Sequence, residues 1–167
     1  MAEFTTSDVI IEQFAECFQL FTRGIMKPIE KQFRGEVPNS GLHVMSNIYF
    51  KGPATMSDIT GILKCSKQQT TQTVDKLIKS GFALRESDET DRRKVWIMLT
   101  NEGKAYVEKM LKTASQQLAQ RLEKLDVDES QSLVESLKVL NRLLNKMADS
   151  EIEKVDIMKI IKQEDKL

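Results

Sequence analysis

Residues 52–103 have the sequence GPATMSDITGILKCSKQQTTQTVDKLIKSGFALRESDETDRRKVWIMLTNEG, and this stretch decides the fold. Its apolar residues recur first at the spacing of helices and then at the spacing of strands. The pattern predicts two short helices joined by a tight turn. A β-hairpin follows them, so we interpret residues 52–99 as a helix-turn-helix with a hairpin "wing".

The first short helix follows the Gly-Pro turn at residues 52–53. We expect Ser57 to be its N-cap, because a serine hydroxyl accepts a hydrogen bond from a free backbone N–H of the first turn. Its apolar face comprises Ile59, Ile62 and Leu63. Cys65 and Ser66 are predicted to form the turn to the next helix.

The second short helix is predicted over residues 66–80, with Ser66 as its cap. We expect Gly81 to end it, because glycine readily adopts the left-handed conformation that follows the last turn of many helices. The apolar positions of this helix are Thr70, Val74, Leu77 and Ile78.

The opposite face of the second helix is polar, and its first two turns contain no carboxylate. The face comprises Ser66, Lys67, Gln68, Gln69, Thr71, Gln72, Thr73 and Lys76. Glutamine can bond to an adenine edge with two hydrogen bonds, and lysine can reach guanine or a phosphate. A polar helix face is usually just solvated, but one that opens the second helix of a helix-turn-helix is typical of DNA contact.

The hairpin that follows is predicted to have strands at residues 82–86 and 95–99. Three consecutive cations, Arg92, Arg93 and Lys94, lie near its tip. Such a cluster suits a narrow, electronegative minor groove or the flanking phosphates. Asp91 is expected to orient the Arg93 guanidinium rather than to act in catalysis. On the closing strand, Trp96 is expected to pack on the base of the wing.

Charge is distributed unevenly along a chain whose formal net charge is zero. Residues 64–104 carry nine cations and six anions, whereas the segments before and after them are each slightly acidic. A net charge of zero, taken alone, argues against a nucleic-acid partner. The local excess of cations on the second helix and the wing favours one.

Three motifs resemble the MarR family of bacterial winged-helix transcription regulators: GPAT at 52–55, VDKLIKSGF at 74–82 and DRRKVWIMLTNEG at 91–103. The third is the most specific, and the resemblance extends over about residues 7–148. Many members carry an additional wing arginine at the position that Thr90 occupies here. Arg92 and Arg93 would therefore supply the minor-groove contacts.

The resemblance implies a homodimer that binds a pseudo-palindromic operator in double-stranded DNA. We expect Gln68, Gln69 and Gln72 to contact bases. Phosphate contacts are expected from Lys67, Thr71, Lys76 and Lys94. The two half-sites should lie about 10 bp apart, one helical turn. The resemblance further implies repression that a small aromatic or lipophilic effector relieves.

Long helices are predicted on both sides of the winged lobe. The first covers residues 7–34 and is capped by Ser7 or Asp8. Gly24 and Pro28 should kink it near residues 24–28 or divide it into two helices, because proline removes a helix hydrogen bond. A second covers residues 40–51. After the wing, Thr100 caps a helix to about residue 125, and Asp126 caps another. The leucines of that last helix recur at heptad spacing, which favours burial against a second chain.

The predicted fold is therefore mainly α (α+β), a single MarR-like domain over residues 1–167. Residues 7–50 and 100–148 supply the dimerisation helices, residues 52–99 form the winged helix-turn-helix, and residues 150–167 form a tail. No apolar run reaches the ~18 residues of a membrane span, and the N-terminus lacks the pattern of a signal peptide. We expect a cytoplasmic protein.

Cys17 offers an alternative mode of control. One branch of the MarR family senses hydroperoxides through a cysteine on the N-terminal helix, with tyrosine hydroxyls around it. Here the position one turn on is Phe21, and the neighbours are apolar. We interpret Cys17 as a buried core residue and keep a thiol switch as the alternative. Cys65 is likewise expected in the core.

Catalysis and metal binding are not expected. His43 is the only histidine, and the sequence shows no nucleophile paired with it as a base. The sequence also lacks the glycine motifs that bind phosphates. No cofactor or metal is predicted, since a metal site needs several grouped ligands. A dimeric winged-helix module that binds protein instead of DNA is the alternative from another functional class.

Overall fold

The computed structural model describes residues 5–33, 37–88, 91 and 94–148. Its elements, in chain order, are α1 (Thr6–Phe21), a π-helical segment (Thr22–Met26), α2 (Lys27–Gln32), α3 (Asn39–Lys51), β1 (Ala54–Thr55), α4 (Met56–Leu63), α5 (Lys67–Lys79), β2 (Ala83–Ser87), β3 (Val95–Leu99), α6 (Asn101–Leu122) and α7 (Val127–Met147). The order confirms the predicted fold class, a mainly helical chain with a small antiparallel sheet. The helix-turn-helix is α4 and α5, and the wing hairpin is β2 and β3.

The chain divides into two compact units, residues 1–114 and residues 115–167. The core of the first unit lies beneath the helix-turn-helix and the sheet. Its buried residues include Val44, Met45, Ile59, Val74, Leu77, Ile97 and Val107. These residues lie on α3, α4, α5, β3 and the start of α6, so this one core holds those five elements together.

The sheet has three strands in the order β1-β3-β2. The hairpin register pairs Ala83 with Leu99 and Ser87 with Val95, close to the predicted strands. The short strand β1 was not predicted, because two residues carry no usable alternation. It pairs Ala54 with Ile97 and Thr55 with Trp96, and so attaches the start of α4 to the wing.

The N-cap of helix α4 lies two residues earlier than predicted. Thr55, not Ser57, is the N-cap: its hydroxyl accepts the Asp58 N–H (3.3 Å), and the Asp58 carboxylate accepts the Thr55 N–H (2.8 Å). This reciprocal pair is a capping box. Ser57 falls inside the helix because Thr55 is already held in an extended conformation by strand β1.

The same correction applies to α1. The helix is capped by Thr5, and Asp8 is the residue three positions later that completes its capping box, whereas Ser7 or Asp8 was expected as the cap. For α7 the prediction is confirmed, since Asp126 caps the helix and pairs with Glu129. Bonds from Thr5 keep the pKa of Asp8 below its ordinary value.

The end of α5 follows the predicted chemistry of Gly81. This glycine has φ +77°, in the left-handed region. Its N–H donates to the Ile78 carbonyl (3.0 Å), and the Phe82 N–H donates to the Leu77 carbonyl (3.0 Å). These two bonds form a Schellman motif, which stops the helix and turns the chain into β2.

The N-terminal α-helix is interrupted where Gly24 and Pro28 predicted a kink or a division into two helices. The backbone there is π-helical from Thr22 to Met26, and the Lys27 N–H donates to the Thr22 carbonyl. A π-helical segment is a common cause of helix bending. Helix α1 itself has no buried residue, so its apolar stripe is exposed in the single chain.

The second unit comprises the end of α6 and helix α7. None of the α7 residues is buried in the single chain. Its predicted stripe is largely exposed, with Leu137 at 47% and Leu140 at 41% of their reference surface. The predicted tail at residues 150–167 lies outside the described residues.

Tyr49 ties α3 to the first half of α6. Its hydroxyl donates to the Glu108 carboxylate at 2.9 Å. Partial burial, with help from the Glu108 bond and charge, raises the pKa of Tyr49 to about 12, so the phenol stays protonated at physiological pH. The bond fixes α6 against α3, the helix that packs against α5.

The junction between β2 and α6 leaves no room for a side chain at Gly103. A Cβ there would collide with the Phe82 carbonyl oxygen, which already accepts the Thr100 N–H (3.1 Å). Thr100 in turn accepts the Gly103 N–H (3.0 Å), as expected for the N-cap of this helix, and donates to the Gly81 carbonyl (2.6 Å). The end of α5, the start of β2 and the start of α6 therefore meet at this point.

We expect Gly103→Ala to lower the free energy of unfolding by about 2–4 kcal/mol, because backbone rather than a flexible side chain must move. Chemical denaturation measures the change. Gly61→Ala is the matched control: no atom lies within 4 Å of its added Cβ, and alanine should gain about 0.5–1 kcal/mol in a helix interior. Equal stability of Gly103→Ala and wild type would contradict this packing.

Candidate nucleic-acid interface

Helix α5 is held by one narrow buried face. Thr70, Val74 and Leu77 are each at most 1% exposed. They pack against α3, α4 and the sheet, as the sequence predicted. The opposite face of α5 is left at the surface along its whole length.

Most of the predicted contact residues lie on that exposed face. Exposed side chains in the first three turns are Lys67, Gln68, Gln69, Thr71, Gln72 and Lys76. Thr73 is half-buried, and its hydroxyl lies 3.4 Å from that of Ser40 on α3. The Thr71 hydroxyl donates to the Lys67 carbonyl (2.9 Å). Thr73 is thus partly committed to packing, and the Thr71 hydroxyl is bonded to its own helix. The long polar side chains at the surface are Lys67, Gln68, Gln72 and Lys76.

Ser66 and Gln69 form the capping box of α5. The Ser66 hydroxyl accepts the Gln69 N–H (3.3 Å), and the Gln69 amide oxygen accepts the Ser66 N–H (3.1 Å). The Gln69 side chain therefore has a structural role that the sequence prediction of base contact did not foresee. Its amide NH₂ group remains as the donor for an outside partner.

This capping box differs from the others in charge. Along the described part of the chain, the boxes at the starts of α1, α4 and α7 each use a carboxylate. The box of α5 uses serine and glutamine, which are neutral. A carboxylate would stabilise the helix N-terminus but would repel a phosphate there. The neutral cap leaves the positive end of the α5 dipole uncompensated.

The turn between α4 and α5 encloses a small polar cluster that sequence reasoning missed. The Thr60 hydroxyl lies 3.1 Å from that of the buried Thr70, and the Cys65 Sγ lies 3.4 Å from the same Thr70 oxygen. Lys64 has a left-handed backbone, φ 48°. Cys65 is half-buried, so the core position predicted for it is only partly reached.

Asp75 is the one carboxylate on α5, and it is paired. The Arg85 guanidinium on β2 donates to its Oδ1 at 2.7 Å. Both side chains are about half exposed, so the pair contributes little to stability. Its effect is to offset the negative charge that Asp75 would present beside the polar face. A contact between residues 10 positions apart has no local signal in the sequence.

The wing loop is closed by backbone and side-chain bonds around Asp88. The Asp88 N–H donates to the Lys94 carbonyl (3.0 Å), and the Lys94 N–H donates to the Asp91 carbonyl (2.8 Å). The Asp91 N–H donates to Asp88 Oδ1 (2.9 Å). Arg92 and Arg93 lie outside the described residues, and so does the predicted pairing of Asp91 with Arg93.

Trp96 packs at the base of the wing, as predicted. Its indole N–H donates to Asp88 Oδ2 at 2.9 Å, and the Lys94 Nζ lies 5.3 Å from the ring centroid. Lys94 also lies near the start of α4: bonds from Thr55 chiefly, and the Lys94 charge in addition, lower the pKa of Asp58. The predicted phosphate ligand Lys94 is therefore held between the wing and α4.

The remaining sequence candidates do not form a site. His43 is exposed on α3, and the described residues include no group of three or more potential metal ligands. Cys17 is exposed in the single chain, contrary to the predicted core position, because α1 buries none of its residues there. Among the helices that the structure describes, none has the length and apolar character needed to cross a membrane.

Comparison with known proteins agrees with this geometry. The model of the MarR family matches residues 38–95, which include α3, α4, α5 and most of the wing. The HTH-type transcriptional regulator YkoM of Bacillus subtilis is 25% identical over 142 residues, covering 83% of this chain and 92% of YkoM.

Solved structures share the fold. A MarR family protein from Bacillus stearothermophilus has a TM-score of 0.70 at 18% identity, covering 87% of this chain and 99% of its own. A mutant of S. aureus MepR bound to an oligodeoxyribonucleotide has a TM-score of 0.61 at 18% identity. The match covers 85% of this chain and 99% of the MepR chain. Members of this family are DNA-binding transcription regulators and not enzymes. With the helix-turn-helix and the wing both in place, residues 38–95 form a MarR family domain.

Proposed function

We propose that the chain is a repressor that binds, as a homodimer, a pseudo-palindromic operator in double-stranded DNA. The observation that carries the proposal is the surface of α5, whose exposed side is polar and basic and whose single carboxylate is paired with Arg85. Gln68 and Gln72 would contact base edges in the major groove. Lys67, Thr71 and Lys76 would contact phosphates.

Ser66 and Gln69 would act at the N-terminus of the same helix. Their neutral capping box leaves the first turn of α5 able to receive a phosphate. The Gln69 NH₂ group would donate to DNA while its amide oxygen keeps the cap. Thr73 would contribute less, since its hydroxyl lies near Ser40.

The wing would contact the DNA beside each recognition helix. Arg92 and Arg93 would enter the minor groove, where narrow segments attract guanidinium groups. Lys94 would reach a flanking phosphate from its position next to Trp96. Asp91 would orient the Arg93 guanidinium, as expected from its sequence position.

The exposed apolar helices support the homodimer. Phe14, Phe18 and Phe21 of α1 are 49–64% exposed in the single chain. Large apolar patches of this kind mark interaction surfaces. Burial against a second copy would cover them. Residues 7–50 and 100–148 would then form the dimerisation helices, and residues 52–99 the DNA-binding lobe. The whole chain would act as one domain in the cytoplasm.

Control by a small aromatic or lipophilic effector completes the proposal. Such a ligand would bind between the dimerisation helices and the DNA-binding lobe, and it would change the separation of the two α5 helices. Family membership supports this step. A thiol switch through Cys17 remains the alternative form of control, and the exposure of Cys17 in the single chain keeps it open.

The first test is selection of bound duplexes from a random pool, followed by affinity measurements with wild type and Arg93→Ala. We expect an inverted repeat, a logarithmic salt dependence with a slope near −5 for about six phosphates, and weaker binding by Arg93→Ala. No enriched sequence together with a shallow salt dependence would favour the protein-binding alternative and contradict the proposal.

Gln69→Glu separates capping from DNA binding. A glutamate keeps the capping box and adds a negative charge at the helix N-terminus, so the melting temperature should rise slightly, by the equivalent of about 0.3–1 kcal/mol. Affinity for the selected duplex should fall at least about tenfold, because the charge faces phosphates. Gln120→Glu adds the same charge to an exposed position outside the helix-turn-helix. Unchanged affinity of Gln69→Glu would exclude the α5 N-terminus from the interface.

Phe18→Glu tests the dimer. Phe18 is 64% exposed on α1, so a charge there should not unfold the single chain but should disfavour burial in an interface. Light scattering should show a shift from dimer to monomer, with loss of operator affinity. Gln19→Glu, also exposed on α1, is the charge-matched control. A Phe18→Glu dimer as stable as wild type would mean that α1 is not the interface.

A further inference from the structure

Trp96 lies at the centre of the outer face of the sheet. Its neighbours on β3, Ile97 and Leu99, are buried in the core, and alternation along a strand places Trp96 on the opposite face. Across the sheet it is paired with Thr55 on β1 and Glu86 on β2. Directly opposed side chains lie in contact range. Trp96 thus joins the strand that caps α4 to the strand that enters the wing.

The indole N–H of Trp96 extends this link to the wing loop. It donates to Asp88 Oδ2 (2.9 Å), while Asp88 Oδ1 accepts the Asp91 N–H (2.9 Å). One carboxylate therefore holds both the opposite strand and the loop that leads to the wing arginines. Both bonds are made to a charged acceptor, which makes them stronger than bonds between neutral groups.

We propose that Trp96 is a positioning residue for DNA binding: by holding the Asp88 carboxylate it fixes Asp88, Asp91 and Lys94, the described residues of the wing loop, which flank the arginines proposed to contact DNA. The inference rests on the proposed contact between the wing and DNA. Ordering a loop costs conformational entropy. A loop ordered before DNA arrives does not incur that cost on binding, so affinity is higher.

The direction in which Asp88→Ala changes the affinity for DNA tests the inference. Removing a carboxylate from a surface near DNA should strengthen binding if only charge matters. The inference requires the opposite, because Asp88→Ala removes the acceptor of both bonds and releases the loop. Trp96→Phe keeps an aromatic ring on the sheet but removes the N–H, and so breaks the same link from the other side.

The experiment measures operator affinity over a range of salt concentrations for wild type, Trp96→Phe, Asp88→Ala and the double variant. We expect Trp96→Phe to bind about three- to tenfold more weakly, as the net contribution of one hydrogen bond predicts. Asp88→Ala, which loses two bonds, should bind at least as weakly. The salt slope should become shallower by about one to two units as wing contacts are lost. The double variant should bind no more weakly than the weaker single one, since both changes break one link.

Met98→Leu is the matched control. Met98 lies two residues further along β3, on the same face as Trp96 and half-buried like it, but makes no hydrogen bond to the loop. The affinity of Met98→Leu for the operator should equal that of wild type. Because the chain has one tryptophan, the indole N–H gives a single NMR resonance. That resonance should move and exchange faster with water in Asp88→Ala, which reports the bond without DNA.

The arginine variants separate the two proposals. The double variant with Arg92→Ala and Arg93→Ala is compared with Trp96→Phe. If the double variant binds DNA more weakly but Trp96→Phe does not, the positioning role is wrong while the wing contact stands. Tighter binding by Asp88→Ala would also overturn the positioning role. If the arginine double variant binds like wild type, the wing does not contact DNA, and both proposals fail. In the arginine double variant, which retains Lys94, Trp96→Phe should reduce affinity less than it does in wild type.

Discussion

The recognition helix α5 depends on a narrow constraint: it must bury one face completely and leave the other free. Thr70, Val74 and Leu77 meet the first condition, and each is at most 1% exposed. Because so few side chains anchor the helix, its two ends must be fixed separately. The Ser66–Gln69 box fixes the start, and the left-handed Gly81 fixes the end. The surface between them is then available for the operator.

Electrostatics along the helix-turn-helix follow from the same constraint. Helix α4 is capped by a carboxylate, whereas α5 is capped by neutral groups, and Asp75 is offset by Arg85. The chain has no net charge, so affinity for DNA must come from this local arrangement rather than from the whole surface. At the base of the wing, the Trp96 indole N–H donates to the Asp88 carboxylate, beside the cations that we propose to contact DNA.

Local features were predictable from the sequence, and features that depend on distant contacts were not. Gly81, Ser66 and the buried stripe of α5 follow from rules that act within one or two turns. Ser57 was a wrong cap because strand pairing by Thr55 with Trp96 decided where α4 starts. The Arg85–Asp75 and Trp96–Asp88 bonds join different parts of the fold, so no local sequence pattern predicts them. Cys17 was expected in a core that the single chain does not form around α1.

The central claim is that two copies of α5 enter successive major grooves with a wing beside each. Hydroxyl-radical footprinting of the full-length protein on its selected duplex tests this most directly. The account predicts two protected regions on one face of the DNA, about 10 bp between their centres, with flanking minor-groove protection that Arg92→Ala and Arg93→Ala together remove. A single protected region, or two at a spacing that does not match a helical turn, would contradict it.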